Sequence, residues 1–203
     1  MTSTEATADA DRIVAFMNTR YLPDDDDALA DERSSAWLQQ WLEPVVPQDV
    51  RDSEHGRRAD MQDLRDLREA IRQLAAGNNG QEPDGYILAR GTSVLSSVPL
   101  RVELGDHQDR PSLRTRGDTT AELAIAAVAW SYLIARLSHD WPRVKACASP
   151  DCRWGFLDTS RNRSRRWCEM AYCGNRAKSR AWRERQFSAQ DPTRPSPRRR
   201  SSR

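Results

Sequence analysis

The stretch WCEMAYCGNRAKSRAW, residues 167–182, places two cysteines, a glycine and a run of Arg and Lys within sixteen positions. A matching pair lies upstream, so the full spacing is Cys147-x4-Cys152, fifteen residues, then Cys168-x4-Cys173. Two loops that each offer two thiolates suit tetrahedral Zn²⁺, which accepts four sulfurs at ~2.3 Å with paired ligands two to four residues apart. His55, His107 and His139 all fall outside this segment. The expected site is therefore closed, with Cys147, Cys152, Cys168 and Cys173 around one structural zinc. A catalytic zinc keeps an open position for water, and the H-x-E with P-C-x-x-C pattern of zinc deaminases is missing. The alternative is two buried or disulfide-linked Cys pairs, which a reducing compartment disfavours.

Zinc also answers a question of stability. The segment 143–187 is too short to bury a self-sufficient core, and metal binding contributes ~10 kcal/mol or more to such folds. Trp154, Phe156, Leu157, Trp167 and Trp182 are expected to pack around the metal. Gly174 follows the last ligand, where positive φ would be useful, and Asn175 can cap a helix running to Gln186. On that helix Arg176, Arg180 and Arg183 fall within about 60° of one another and make a basic stripe.

Charge divides the chain at the same place. Residues 1–142 carry 15 Arg against 25 Asp and Glu, or −10, whereas residues 143–203 carry 17 basic against 5 acidic, or +12. Clustered cations gain free energy by displacing counterions from phosphates, so the C-terminal part is expected to meet a polyanion. The N-terminus, MTSTEATADADR, lacks the basic and apolar regions of a signal peptide and reads as a disordered leader through residue 9, so the cytoplasm is the expected compartment.

Ahead of the finger, the apolar group Ile13, Val14, Phe16 and Met17 suggests a helix. Asn18, Thr19 and Arg20 read as its terminating loop or as a pocket lining, and Asp24 to Asp27 as a solvated loop. Trp37, Leu38, Trp41 and Leu42 lie on a helix that Pro44 stops. DMQDLRDLREAIRQLA, from Asp60, sets Met61, Leu64, Leu67, Ile71 and Leu74 in one stripe and ends at Gly77 to Gly80, with the Arg and Asp of 63–69 read as surface pairs. A further helix is expected from about Asp84 to Leu95. Alternating Val98, Leu100, Val102 and Leu104 predict a strand, with Pro111 to Arg116 returning as its hairpin partner. Thr119 and Glu122 form a capping box before an apolar run, Leu123 to Ala135, too short at thirteen residues to span the ~18 to 20 of a bilayer helix. That helix is expected in the core, and no membrane role is expected.

The segment CASPDCRWGFLDTSRNRSRRWCEMAYCGNRAKSRAWRER closely resembles the CGNR zinc finger, named for Cys173, Gly174, Asn175 and Arg176. Phe156, Asp158 and Ser160 fit its F-x-D-x-S stretch, and Arg165 to Cys168 its Arg-Arg-Trp-Cys. The family usually joins this finger to an alpha-plus-beta domain called ABATE, which FMNTR at 16–20, Trp37 and Leu38, the L-R-x-L-R-E-A-I helix and the alanine-rich helix resemble in order. The resemblance implies a bacterial, stress-linked transcription regulator whose N-terminal domain senses a signal, such as a small-molecule effector.

The expected fold is α+β: a mainly helical N-terminal domain with a small β-hairpin or sheet (10–142), a four-Cys zinc finger ending in a helix (143–187), and a disordered basic tail (188–203). Between 143 and 187 the 12 basic and 4 acidic residues give +8, and zinc with four thiolates adds −2, leaving +6. Arg161, Arg163, Arg165, Arg166, Arg176, Lys178, Arg180 and Arg183 are accordingly assigned to double-stranded DNA, by grip on phosphates and groove edges. Arg176 has an alternative role as an ion-pair partner of Asp158. RNA binding, with Trp154 and Trp182 stacking on bases, and a protein-interaction module that meets an acidic partner or the chain's own N-terminal domain remain open. An enzyme is not expected: no phosphate-cradling glycine loop, nucleophile elbow or paired His ligands occur.

Overall fold

The computed structural model describes residues 3–30, 33–42, 58–98, 100–104, 112–115 and 119–189. The stretch from Gly105 to Arg110, the expected helix stop at Pro44 and residues 190–203 of the expected 188–203 tail lie outside them, whereas Ser188 and Ala189 are helical rather than disordered. In chain order the elements are α1 (Ser3–Met17), β1 (Arg20–Tyr21), β2 (Asp26–Asp27), α2 (Arg33–Leu42), α3 (Arg58–Gly77), α4 (Gly85–Ser97), β3 (Leu100–Glu103), β4 (Ser112–Thr115), α5 (Thr120–Leu137), a 3₁₀ turn (Trp141–Arg143), β5 (Val144–Ala146), β6 (Gly155–Leu157), a π turn (Met170–Gly174) and α6 (Asn175–Ala189). Helix dominates, and the strands form three antiparallel pairs, β1 with β2, β3 with β4 and β5 with β6. The chain is thus α+β, as its patterning implied.

α5 is the centre of the first compact unit, which runs to Cys168. Thr119 caps it by accepting a hydrogen bond from the Glu122 amide. It has the length and hydropathy of a membrane span, yet most of it is buried against α1, α2, α3 and β4. α3 contributes Leu64, Leu67 and Ile71 to the core, and α1 contributes Ile13, Phe16 and Met17. α3 and α4 approach so closely that a Cβ on Gly91 would stand 2.3 Å from that of Ala70. Asp84 caps α4 through the amides of Tyr86 and Ile87.

Several expectations need correction. The leader is helical from Ser3, because its Ala and Glu favour helix and Asp9 is anchored by accepting from Ser131 Oγ of α5 at 2.8 Å. Asp27 is not in a solvated loop: β2 pairs with β1, and its carboxylate receives both terminal nitrogens of Arg68, at 2.6 and 2.8 Å. Arg68, read as part of a surface pair, is 1% exposed, and Arg72, four residues on, is 0% exposed. Burial of a guanidinium requires partners for its donors. Arg68 also reaches Thr19 Oγ1 and Glu69, and Arg72 donates to Glu69 and to the carbonyls of Met17 and Arg153.

Composition changes at 142, but packing continues across it. β5 lies against α3 and β6 against α1, and Val144 and Ala146 belong to the same core as Ile13 and Leu64. Asn18, at the end of α1, pairs with both backbone groups of Gly155: its Nδ2 donates to the carbonyl at 3.0 Å and its Oδ1 accepts from the amide at 2.7 Å. A Cβ on Gly155 would meet Met17 Cε at 2.6 Å and Met17 Cβ at 3.3 Å, so a larger residue there would have to displace the buried Met17 side chain. Beyond Gly77, Asn78 donates to the carbonyls of Trp141 and Val144, and Asn79 to those of Ala146 and Arg166. A second unit comprises Glu169–Arg203.

Candidate metal centre and basic surface

β5 delivers Cys147, and the chain turns through Cys152 back into β6. The amides of Cys152 and Arg153 both donate to Ser149 O, at 3.0 and 3.1 Å, and the Cys147 amide donates to Trp154 O at 2.8 Å, which closes the knuckle. Arg153 pays for this tight turn with φ +51°, the left-handed region that costs a side chain ~1–2 kcal/mol. The Ala148 amide donates to Arg166 O at 3.0 Å, tying the first knuckle to the irregular segment that carries Cys168. Further on, the amides of Cys173 and Gly174 donate to Glu169 O, at 3.1 and 3.2 Å, within the π turn. Gly174 does not take the expected positive φ; among the described glycines only Gly80 does. Asn175 is not a cap but the first helical residue, at φ −68° and ψ −40°, with its Nδ2 on Ala171 O.

The four Sγ atoms lie within 4.8 Å of one another, and Cys147, Cys152 and Cys173 are buried. Cys152 and Cys168 stand 3.6 Å apart, well beyond the ~2.05 Å of a disulfide but near the ~3.8 Å edge of a tetrahedron with 2.3 Å metal–sulfur bonds. Sulfur this crowded calls for a cation. A hydrogen bond from Cys152 lowers the Cys147 pKa, and the same bond raises that of Cys152. The amides of Cys168 and Ser149 are directed at the Cys147 sulfur and that of Trp154 at the Cys152 sulfur, an arrangement that favours thiolate. Arg176 Nη2 donates to Cys173 Sγ at 3.5 Å. Donor set, spacing and N–H···S bonds all fit zinc.

Asp158 organises the loop that follows β6, where it forms an ion pair with Lys145. Lys145 Nζ donates to Asp158 Oδ2 at 2.7 Å and to the carbonyls of Arg163 and Arg165, with the lysine 4% and the aspartate 0% exposed. Ser160 N and Oγ and the Arg165 amide complete the carboxylate's donors. Burial pushes the Asp158 pKa up, but Lys145 and Ser160 outweigh it and hold it at about 2.

All eight assigned basic residues are exposed. Their roles differ. Arg165 donates to Trp167 O at 2.9 Å and to Cys168 O, and its guanidinium stacks 4.8 Å above the Phe156 ring, so it braces the segment leading into Cys168 as much as it adds charge. Arg166 lies 5.8 Å from the Trp167 ring. Arg161 and Arg163 stand at the loop tip, Arg163 with φ +50°.

On α6, Lys178 and Arg183 join Ser179, Trp182 and Arg185 around an open groove of about 630 Å³, whose lining does not include Arg176 or Arg180. Trp182 was expected to pack at the metal but is 57% exposed in this groove, while Trp154 packs edge-on against Tyr21. Phe156 is buried as expected. Arg185 was missed. Its i, i+4, i+7 spacing from Lys178 and Trp182 is the sequence signal that would have found it.

A family model for the CGNR zinc finger matches residues 143–186. One for ABATE, described as "Putative stress-induced transcription regulator", matches residues 10–137. No curated protein matches the chain. With this finger and its four clustered cysteines, the chain holds one structural Zn²⁺. Both matches are to regulator and zinc-finger types rather than enzymes.

Proposed function

Because the chain belongs to the ABATE family and continues into a CGNR zinc finger, we propose that it is a cytoplasmic bacterial transcription regulator that binds double-stranded DNA through the finger. The zinc ligands are Cys147, Cys152, Cys168 and Cys173, and their role is structural. The observation that carries DNA binding is a set of exposed cations on the metal-organised segment: Arg161, Arg163 and Arg166 in the loop, and Lys178, Arg180, Arg183 and Arg185 on α6. Phosphate contact releases counterions and suits such a surface. Arg165 and Arg176 contribute mainly by holding the carbonyl of Cys168 and the sulfur of Cys173. The ABATE domain supplies the regulatory input, with a small-molecule effector as the expected signal.

Gel-shift titration of zinc-loaded protein against duplex DNA tests this reading. Affinity should fall steeply between about 50 and 200 mM salt, and Arg180→Ala should weaken binding and reduce the salt slope by about one while retaining zinc. Affinity flat across that range refutes the proposal. Exposed Trp182 beside Lys178 and Arg185 favours a second reading, stacking on unpaired bases. Single-stranded RNA that outcompetes duplex DNA, with loss on Trp182→Ala, would establish that reading instead.

A further inference from the structure

We infer that the ABATE domain supplies positioning residues for the zinc site, so that Arg72 and Asn79 set the metal affinity of a finger whose sequence begins more than sixty residues later. Asn79 is buried in the turn just after α3, and its Nδ2 donates at 2.8 Å to two carbonyls, Ala146 O and Arg166 O. Ala146 directly precedes Cys147, and Arg166 stands two residues before Cys168. One side-chain amide thus holds the approaches to two ligands from different knuckles at a common distance. Arg72, fully buried, donates to Arg153 O at 2.8 Å and also to Met17 O. Arg153 directly follows Cys152 and sits in the left-handed region, a conformation that persists only where its surroundings enforce it. The guanidinium therefore fixes the turn that aims Cys152, while Asn18 pins Gly155 just beyond it.

These donors act behind the ligands as outer-shell partners do in other metal sites, where their loss typically costs 10–100-fold in metal affinity. Linkage makes the effect reciprocal: what the α3 terminus does for zinc, zinc does for the α3 terminus. Residues 1–142 are then part of the metal site, and deleting them removes its support. A deletion therefore cannot serve as a simple test of autoinhibition.

The test uses the full-length zinc-loaded chain. Zinc affinity is measured by competition with a chromophoric chelator for wild type, for Asn79→Asp, which keeps the shape but replaces the donor by an acceptor, and for Arg90→Ala, an exposed α4 control. Asn79→Asp should bind zinc at least tenfold more weakly with unchanged helical circular dichroism, while the control stays within twofold of wild type. Wild-type affinity in Asn79→Asp overturns the inference. Should Asn79→Asp fail to fold, hydrogen exchange on the wild-type chain before and after chelation decides. Loss of protection at Asn78, Asn79 and the end of α1 supports the coupling, and loss confined to residues beyond 143 refutes it.

Discussion

Replacing Lys145 by methionine keeps most of the side chain's length but removes an ammonium that serves Asp158 at 2.7 Å and two backbone carbonyls. Both partners are nearly inaccessible to solvent, so the carboxylate left behind cannot recover its hydration. Removing one member of a buried pair costs ~3–5 kcal/mol. Asp158 retains donors from Ser160 N, Ser160 Oγ and Arg165 N, which places the loss at the lower end, about 3 kcal/mol. For a chain of this size that lowers the melting temperature by ~6–12 °C. Urea unfolding of the zinc-loaded protein, followed by tryptophan fluorescence, would measure it. Adding Asp158→Asn to the same chain removes the stranded charge, so the double variant should lie closer to wild type than the two single losses summed, with a coupling of ~1–3 kcal/mol. A Lys145→Met variant within 1 kcal/mol of wild type, or simple additivity, would refute the assignment of this pair as the organiser of the loop.

Other outcomes follow from the same geometry. Asp158 has its folded pKa depressed to about 2, so its contribution is present above the unfolded carboxylate value of ~3.9 and is lost as pH falls through 2; Asp158→Asn should show a shallower acid loss than wild type between pH 4 and 2. Native mass spectrometry should find one zinc per chain, and Cys168→Ser should lose it. Gly91→Ala should cost ~1–3 kcal/mol by thermal unfolding, because the new methyl overlaps Ala70, and Ala70→Gly in the same chain should recover most of the loss.

Much of the molecule was legible because its signals are local. The α3 stripe, the Thr119 cap, the alternation of β3 and the spacing of four cysteines each depend on residues a few positions apart. The buried polar contacts are not local. Arg68 and Arg72 carry a surface residue's hydropathy, and nothing near them shows that Asp27, Met17 O and Arg153 O will receive their donors. Asn78 and Asn79 looked like a helix stop because the adjoining glycines explain the stop alone. Lys145 did leave a trace: it is one of two lysines among 32 basic residues. A three-residue strand, however, is too short for its register, and hence its facing partner, to be read from periodicity. Trp182 was misplaced for the opposite reason. Aromatic residues in a small module are ordinarily core, and only the course of α6 shows this one facing outward.

The seam between α3 and the β5–β6 hairpin also bears on inheritance. A genetic crossover near codon 142, where composition suggests a natural break, would hand the recipient a finger without the asparagine and arginine that keep its loops in place. Such chimaeras would begin life short of metal, so selection should pass the two halves down together, and a transplantable version would first have to evolve substitutes for those borrowed donors.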